Sequence, residues 1–330
     1  MGDNRINPAG PEGLVTSRKS RARDFILSQS GFLIAFIVVL SIAITMVNRN
    51  FIKPQNILNV LGQISIVGIV AVGVGLVLIS GDFDISVGSQ ISLDGAILAI
   101  LMTRTGSILL PVIVVLLTGL ALGFINGVIV AKSKCASFII TLGTRAAYHG
   151  FVLVATKGRN FPLQGMFETL GRGKLGFIPI PIVIFFLVLI FAYFLLKYTR
   201  FGRTLYAVGG NRTAAYLSGV NVDAIKIAVY SLCGLLVALA SITLISKLGA
   251  SYPNTGDGYE LQALAAVVVG GTSLWGGKGT ALGLFLGVVI FGVMSNSLNM
   301  MNVSPYFREV FIGGIIIVAT ILSRIGEMKK

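Results

Sequence analysis

Apolar runs of membrane-crossing length, separated by short polar stretches, fill the chain almost from end to end. A helix needs roughly 20 apolar residues to cross a hydrocarbon core. The pattern predicts ten spans, at 31–47, 57–80, 84–102, 108–131, 136–156, 177–196, 222–246, 259–275, 280–300 and 307–323. The expected fold class is therefore an all-α polytopic membrane protein, with one transmembrane domain at 31–330 and no room for a large soluble domain. Residues 1–30 are polar and basic, with Arg18, Lys19, Arg21 and Arg23 ahead of the apolar run Gly31–Val47. A signal peptide would present its apolar run sooner and end it at a small-residue cleavage site, so the reading is a cytoplasmic tail and a retained first helix.

Composition agrees with lipid as the solvent. Hydrophobic residues make up 55% of the chain and charged residues 12%, with a mean hydropathy of +0.91, which a water-soluble domain could not display without aggregating. The net charge of +14 would raise the question of nucleic acid in a soluble protein. Here the basic residues gather between apolar runs and no nucleic-acid motif accompanies them. With an even number of spans and both termini cytoplasmic, sixteen of the 26 Lys and Arg fall inside and nine outside, with Arg145 left within a span. That distribution obeys the positive-inside rule. Gly119, Gly123 and Gly127 form a small-residue ridge on the fourth span, and Gly283 and Gly287 another on the ninth; packing between helices of one chain is preferred to a subunit interface. Cys135 and Cys233 lie at or within apolar segments without metal-ligand spacing and read as packing residues.

No chemistry of its own is visible in the chain. The segment GGTSLWGGKGT at 270–280 fails as a phosphate loop because Lys278 is followed by Gly279; its glycines suit a tight turn between two helices. His149 is the sole histidine, so a multi-histidine metal site is excluded, and no nucleophile stands near a base. No cofactor is expected in this chain; ATP and magnesium, if used, would belong to another. Ionisable groups inside spans are costly and usually functional. Asp94 and Arg145 stand at similar depth in the third and fifth spans, and an ion pair between them is expected. Asp82 and Asp84, at the break before the third span, read as caps, with Asp84 at an N-cap position. The connection at 197–221 predicts a turn at Gly209 and Gly210, then a short helix stopped at Gly219, outside the bilayer and open to a partner.

Five segments together resemble one family: ISGDFDISVGS (79–89), NGVIVAKSKCASFIITLGT (126–144), TRFGRTLYAVGGNRTAAYLSGVNVDAIK (199–226), GYELQALAAVVVGGTSLWGGKGTALG (258–283) and NSLNMMNVSPYFREVFIGGIII (296–317). The chain is similar to the permease subunits of bacterial ATP-driven (ABC) sugar importers of the ribose, xylose and autoinducer-2 type. The resemblance implies two permease copies in the inner membrane, two cytoplasmic ATP-binding subunits and a periplasmic substrate-binding protein. The 197–221 loop would couple the permease to the ATPase through Arg203, Gly209, Gly210, Asn211, Thr213, Ala214, Ala215 and Gly219. Such loops often carry Glu-Ala-Ala and, after three residues, Gly; Thr213 replaces the acidic residue here, which removes a salt bridge from that position. Asp94 and Arg145 stand where the family is usually apolar, and His149 where Arg is common.

A neutral sugar crosses only if its hydroxyls stay hydrogen-bonded while the path opens to one side at a time. Ser89, Asn126, Thr141 and Asn296 are the expected path residues, and the outer loops, including 157–176, the docking site for the binding protein. A permease for branched-chain amino acids or nucleosides and an ion-coupled secondary transporter are the alternatives. The second would need midplane carboxylates, of which the sequence offers few beyond Asp94. A membrane enzyme is disfavoured by the lack of catalytic residues, and a passive scaffold by the docking loop.

Overall fold

The computed structural model describes residues 29–304 together with 307, 310, 312–314 and 317. Long helices dominate, in the order α1 (Gln29–Val47), α2 (Pro54–Ile79), α3 (Val87–Thr105), α4 (Leu109–Ser133) and α5 (Ser137–Thr156). A short α6 (Thr169–Arg172) precedes α7 (Ile180–Tyr198), α8 (Arg200–Gly210), α9 (Arg212–Leu217), α10 (Val222–Leu248), α11 (Tyr259–Val269) and α12 (Ala281–Met300). Seven of these, namely α1, α2, α4, α5, α7, α10 and α12, are long and apolar enough to cross a membrane. The tail at 1–28 and most of the tenth expected span, 307–323, lie outside the described residues.

Three helices are the most buried of the spans: 89% of the most apolar window in α2, 72% in α12 and 67% in α10. Helices α2 and α10 meet where Gly73 faces the Cys233 side chain, which gives that buried cysteine a packing role. The ridge on α4 packs within the chain: a side chain at Gly119, Gly123 or Gly127 would run into Gly234, Tyr230 or Ile227 of α10. Glycine lets these two backbones approach closely.

One end of the bundle is held by two small strands, β1 (Phe161–Pro162) and β4 (Ala250–Ser251), paired antiparallel, while β2 (Lys174–Leu175) pairs with β3 (Ile178–Pro179). There the Gly171 amide donates to Ser246 Oγ at 2.8 Å, and Arg172 Nε to Lys247 O at 2.9 Å, fastening α6 to the end of α10. The opposite end gathers the 80–86 turn, α8, α9 and the 270–280 turn.

Three elements differ from the sequence expectation. The eighth span, 259–275, contains only the 11-residue α11, about 16 Å long and too short to cross. Pro253, Gly256 and Gly258 keep the chain in turns before it, and Gly270 and Gly271 end it. The third span starts later, at Val87: Asp84 Oδ1 accepts from the amide (2.9 Å) and hydroxyl (2.6 Å) of Ser86, closing the turn that leads into α3 instead of capping its first amides. Around 209–210 the helix α8 continues through both glycines, because a bare Gly209 lets its backbone lie against Ile79 O and Gly277 N.

The break comes at Asn211, whose extended backbone (φ −157°, ψ 102°) separates α8 from α9. Its Oδ1 accepts from the Ala214 amide at 2.9 Å, and Gly219 turns the chain with φ +80°. Replacing Asn211 with alanine is expected to cost α9 about 1 kcal/mol. Amide exchange over residues 212–217 should speed up several-fold while protection of α10 stays unchanged; equal exchange in both proteins would remove the cap from the account.

Candidate functional site

Half-way through the bundle, α3 and α11 begin side by side. Gln90, in the first turn of α3, donates to Gly234 O in the middle of α10 at 2.9 Å, which fixes that depth. A side chain at Gly88 would overlap the Glu260 carboxylate and Gly256 O, so glycine there brings the two helix starts together. Glu260 sits in the first turn of α11 and against the start of α3, where unpaired amides of both helices favour negative charge. Its side chain is 4% exposed, and Oε1 lies 3.0 Å from Arg145 Nη2 on α5. Its Oε2 has no hydrogen-bond partner.

Arg145 also borders a hollow of about 360 Å³, whose other lining residues are Ser89, Leu142, Ala146, His149 and Asp257. Below Glu260 lies a much smaller crevice lined in part by Asp82, Phe83, Asp84 and Ile85. A larger groove of about 890 Å³ runs along α1, α2 and α12, with a mainly aliphatic wall. Such a surface suits acyl chains and offers few groups to a polyol, so the smaller polar hollow is the better candidate for a solute.

The expected pairing of Asp94 with Arg145 is corrected by this geometry. Arg145 goes to Glu260, whereas Asp94, fully buried, accepts from Gln90 Nε2 at 3.2 Å on its own helix. Arg145 meets Glu260 beside Gly88 at the start of α3, whereas Asp94 stands six residues further along that helix. Among the four expected path residues, Ser89 lines the polar hollow. Asn126 is consumed in an internal network: its Nδ2 donates to Ser86 Oγ at 2.9 Å, and its Oδ1 accepts from Tyr148 Oη at 3.0 Å. Thr141 Oγ1 donates to Ser137 O at 2.9 Å within its own helix. Asn296 exchanges hydrogen bonds with Asn56, each 3.1 Å, far from Ser89 along the fold.

The second cluster surrounds Asp82, which is 3% exposed. Arg212 Nη2 at the start of α9 lies 2.7 Å from Oδ1, and Lys226 Nζ on α10 lies 3.2 Å from Oδ2. Arg212 also donates to Gly81 O at 2.9 Å. Alongside, Gly277 N donates to Ile79 O at 2.9 Å, and Tyr206 Oη to Gly279 O at 2.6 Å. The α8–α9 segment is thus bonded to the end of α2 through one turn and to the turn after α11 through another. Gly276 and Gly277, with φ of +85° and +71°, make the second turn tight enough for Gly209 to rest on it. Arg203 and Thr213 are exposed on this segment and Ala215 is buried.

Glu260, Asp257 and the role of Asp82 as an ion-pair partner were not anticipated. A carboxylate in a helix first turn resembles an ordinary N-terminal acid. The available signal was charge balance: Arg145 needs a counter-ion, and Glu260 is one of the few carboxylates within the expected spans, with Asp84, Asp94, Asp223 and Glu309.

Residues 56–320 match the family described as branched-chain amino acid transport system / permease component. The ribose import permease protein RbsC of Haemophilus influenzae is 42% identical over 93% of this chain and 96% of its own length. The protein of the same name from Bacillus subtilis is 40% identical over 95% and 98%, and the xylose transport system permease protein XylH of Escherichia coli is 34% identical over 82% and 84%. No solved structure matches the chain. The match over most of the described bundle, with these relatives covered nearly end to end, shows that the chain belongs to the branched-chain amino acid transport system / permease component family.

Proposed function

We propose that this chain is the transmembrane permease subunit of an ATP-driven importer for a ribose-like sugar, a multi-pass protein of the bacterial inner membrane. It works as two permease copies with two cytoplasmic ATP-binding subunits and a periplasmic binding protein. Both termini lie in the cytoplasm, and the end that gathers α8, α9 and the 270–280 turn faces the same way. ATP hydrolysis belongs to the partner subunits, with their magnesium.

One observation carries the reading. The α8–α9 segment projects apolar Tyr216 and Leu217, 71% and 78% exposed, while its other side is bonded to the turns that end α2 and follow α11. A partner that grips the exposed side moves two interior helices at once. The sugar class is supported by the names of the relatives, which concern ribose and xylose.

The test is the complete importer in proteoliposomes. Ribose-loaded binding protein is expected to raise ATP hydrolysis several-fold and to drive uptake that survives an uncoupler of ion gradients. Uptake abolished by the uncoupler while ATP persists would move the chain to the ion-coupled class. Stimulation by leucine in place of ribose would favour the branched-chain amino acid alternative.

A further inference from the structure

The groove of about 890 Å³ along α1, α2 and α12 has no part in the transport reading. Its walls are aliphatic, with Val38 and Ile42 on α1, Ile57 and Leu61 on α2, and Val289 and Val293 on α12. Val38, Ile42 and Ile57 are 50%, 54% and 46% exposed, so the groove is open to whatever surrounds the chain. Arg49 closes one end of it, in the single turn Arg49–Ile52 between α1 and α2. We propose that the groove binds one anionic phospholipid of the outer leaflet, with an acyl chain along the aliphatic walls and the phosphate on Arg49 and Lys53.

The position and length of the groove match one leaflet. Helix α2 ends at Ile79, whose carbonyl accepts from Gly277 N at the end that carries α8 and α9. That end is the cytoplasmic one, so the connection from Arg49 to Pro54 lies at the outer surface. From Ile37, the first lining residue, to Val47 at the end of α1, the helix rises about 15 Å. That is half of a hydrocarbon core of roughly 30 Å. An acyl chain laid in the groove therefore runs from the midplane to the headgroup level, where Arg49 stands.

Charge at the mouth selects the headgroup. No acidic residue occurs between Asp24 and Asp82. The exposed side chains of Arg49 and Lys53 form no ion pair or hydrogen bond among the described residues. Helix α2 starts at Pro54 without a side-chain cap, which adds the positive end of its dipole beside them. Two polar groups of the wall are turned to the protein, since Thr45 Oγ1 donates to Ser41 O at 2.7 Å and Asn56 Nδ2 to Phe51 O at 2.9 Å. A guanidinium takes a phosphate by two charge-assisted bonds, and basic side chains at the membrane surface attract anionic lipid. A zwitterionic lipid carries its own ammonium to the same place and is disfavoured.

Other occupants fit less well. A two-fold contact through this face would be isologous and would set the basic Arg49–Lys53 turns of two copies against each other. The tail that carries Arg18, Lys19, Arg21 and Arg23 is basic too and joins α1 at its opposite end. A lipid also completes the packing of α1, of which only 17% of the most apolar window is buried. Leu33 and Ile44 seat that helix on α12, and a chain wedged between α1 and α2 would fasten its free side.

The complete importer, delipidated in detergent and offered equal amounts of phosphatidylglycerol and phosphatidylcholine, tests this by native mass spectrometry. The unaltered protein is expected to retain phosphatidylglycerol at least fivefold over phosphatidylcholine, and an Arg49→Gln, Lys53→Gln variant to retain both alike. Equal retention by the unaltered protein, or an undiminished preference in the variant, would overturn the proposal. Glycerol 3-phosphate in large excess should leave the lipid bound; displacement would make this a free-anion site and overturn the lipid. A second measurement leaves the basic pair intact. Trp275→Phe removes the sole tryptophan, and Ile57→Trp then places the fluorophore on the wall of the groove. In phosphatidylcholine bilayers, phosphatidylglycerol brominated on its acyl chain should quench it at least fivefold more per mole than brominated phosphatidylcholine. Equal quenching, or none by either lipid because protein fills the groove, overturns the proposal even if the glutamine variant does not assemble. Lipid retention needs no transport, so an importer that moves no ribose would sink the functional reading and leave this one standing.

Discussion

Replacing Asp82 with alanine is expected to lower stability by about 3–5 kcal/mol, the usual cost of stripping one partner from a buried ion pair. The cost arises mainly at Lys226, which is 7% exposed and has its Nζ within 3.2 Å of the carboxylate. Without Asp82 that ammonium stays in the bundle unneutralised. Arg212 is 44% exposed on its side chain, so water can serve it, and its share is no more than about 1 kcal/mol. The changes divide into two readouts. Asp82→Leu with Lys226→Met removes both buried charges and should recover most of the thermal stability, because an apolar pair of similar bulk is often as stable as an ion pair. It should not fully recover sugar-stimulated ATP hydrolysis, since Arg212 would lose its ion pair on the α2–α3 turn and keep only the bond to Gly81 O. An Asp82→Ala protein that melts with the unaltered one in detergent would show that the cluster holds nothing together.

Gly123→Leu is expected to leave little folded protein. A Cβ at that position would overlap the Tyr230 carbonyl oxygen, and Gly234 Cα stands 3.1 Å away on the same side. These are backbone atoms of α10, so no rotamer change relieves the contact and the helices must separate. Even alanine should cost about 1–3 kcal/mol by overpacking. Separation would also loosen the Asn126 network, since Asn126 stands on α4 and holds both Ser86 and Tyr148. Gly143→Ala is the matched control: nothing lies within 4 Å of its would-be side chain, and the change should leave yield and melting temperature near those of the unaltered protein. Size-exclusion profiles with a fluorescent fusion, followed by melting, separate these outcomes. A monodisperse Gly123→Leu protein at normal yield would refute the close α4–α10 packing.

The long spans were legible because hydropathy over about 20 residues reports on lipid directly, and α1, α4, α7 and α12 lie close to where the apolar runs place them. The ridge on α4 was legible too, since spacing of four puts glycines on one helix face. What the pattern could not report is depth when a helix begins inside the bundle. Residues 259–275 are apolar enough for a span, yet α11 occupies only part of them, because burial in protein and burial in lipid select the same side chains. The level at which side chains meet was the second blind spot. Arg145 meets Glu260 beside Gly88 at the start of α3, while Asp94, six residues further along, bonds to Gln90 on its own helix. In the loop at 197–221 the short helix and the turn at Gly219 were legible, while the helical course through Gly209 depended on a tertiary contact with Ile79 that no local rule contains.

The half-length α11 has a consequence for how the protein is made. A helix of only eleven residues preceded by turns cannot leave a translocon as an independent stem, and the polar backbone of 252–258 cannot be abandoned to hydrocarbon. The Gly256 amide finds its acceptor on Ser92 Oγ at 2.9 Å, a residue synthesised far earlier on α3. This stretch must therefore wait at the exit until the N-terminal half offers a finished berth, which makes its integration a late, template-dependent step of biogenesis.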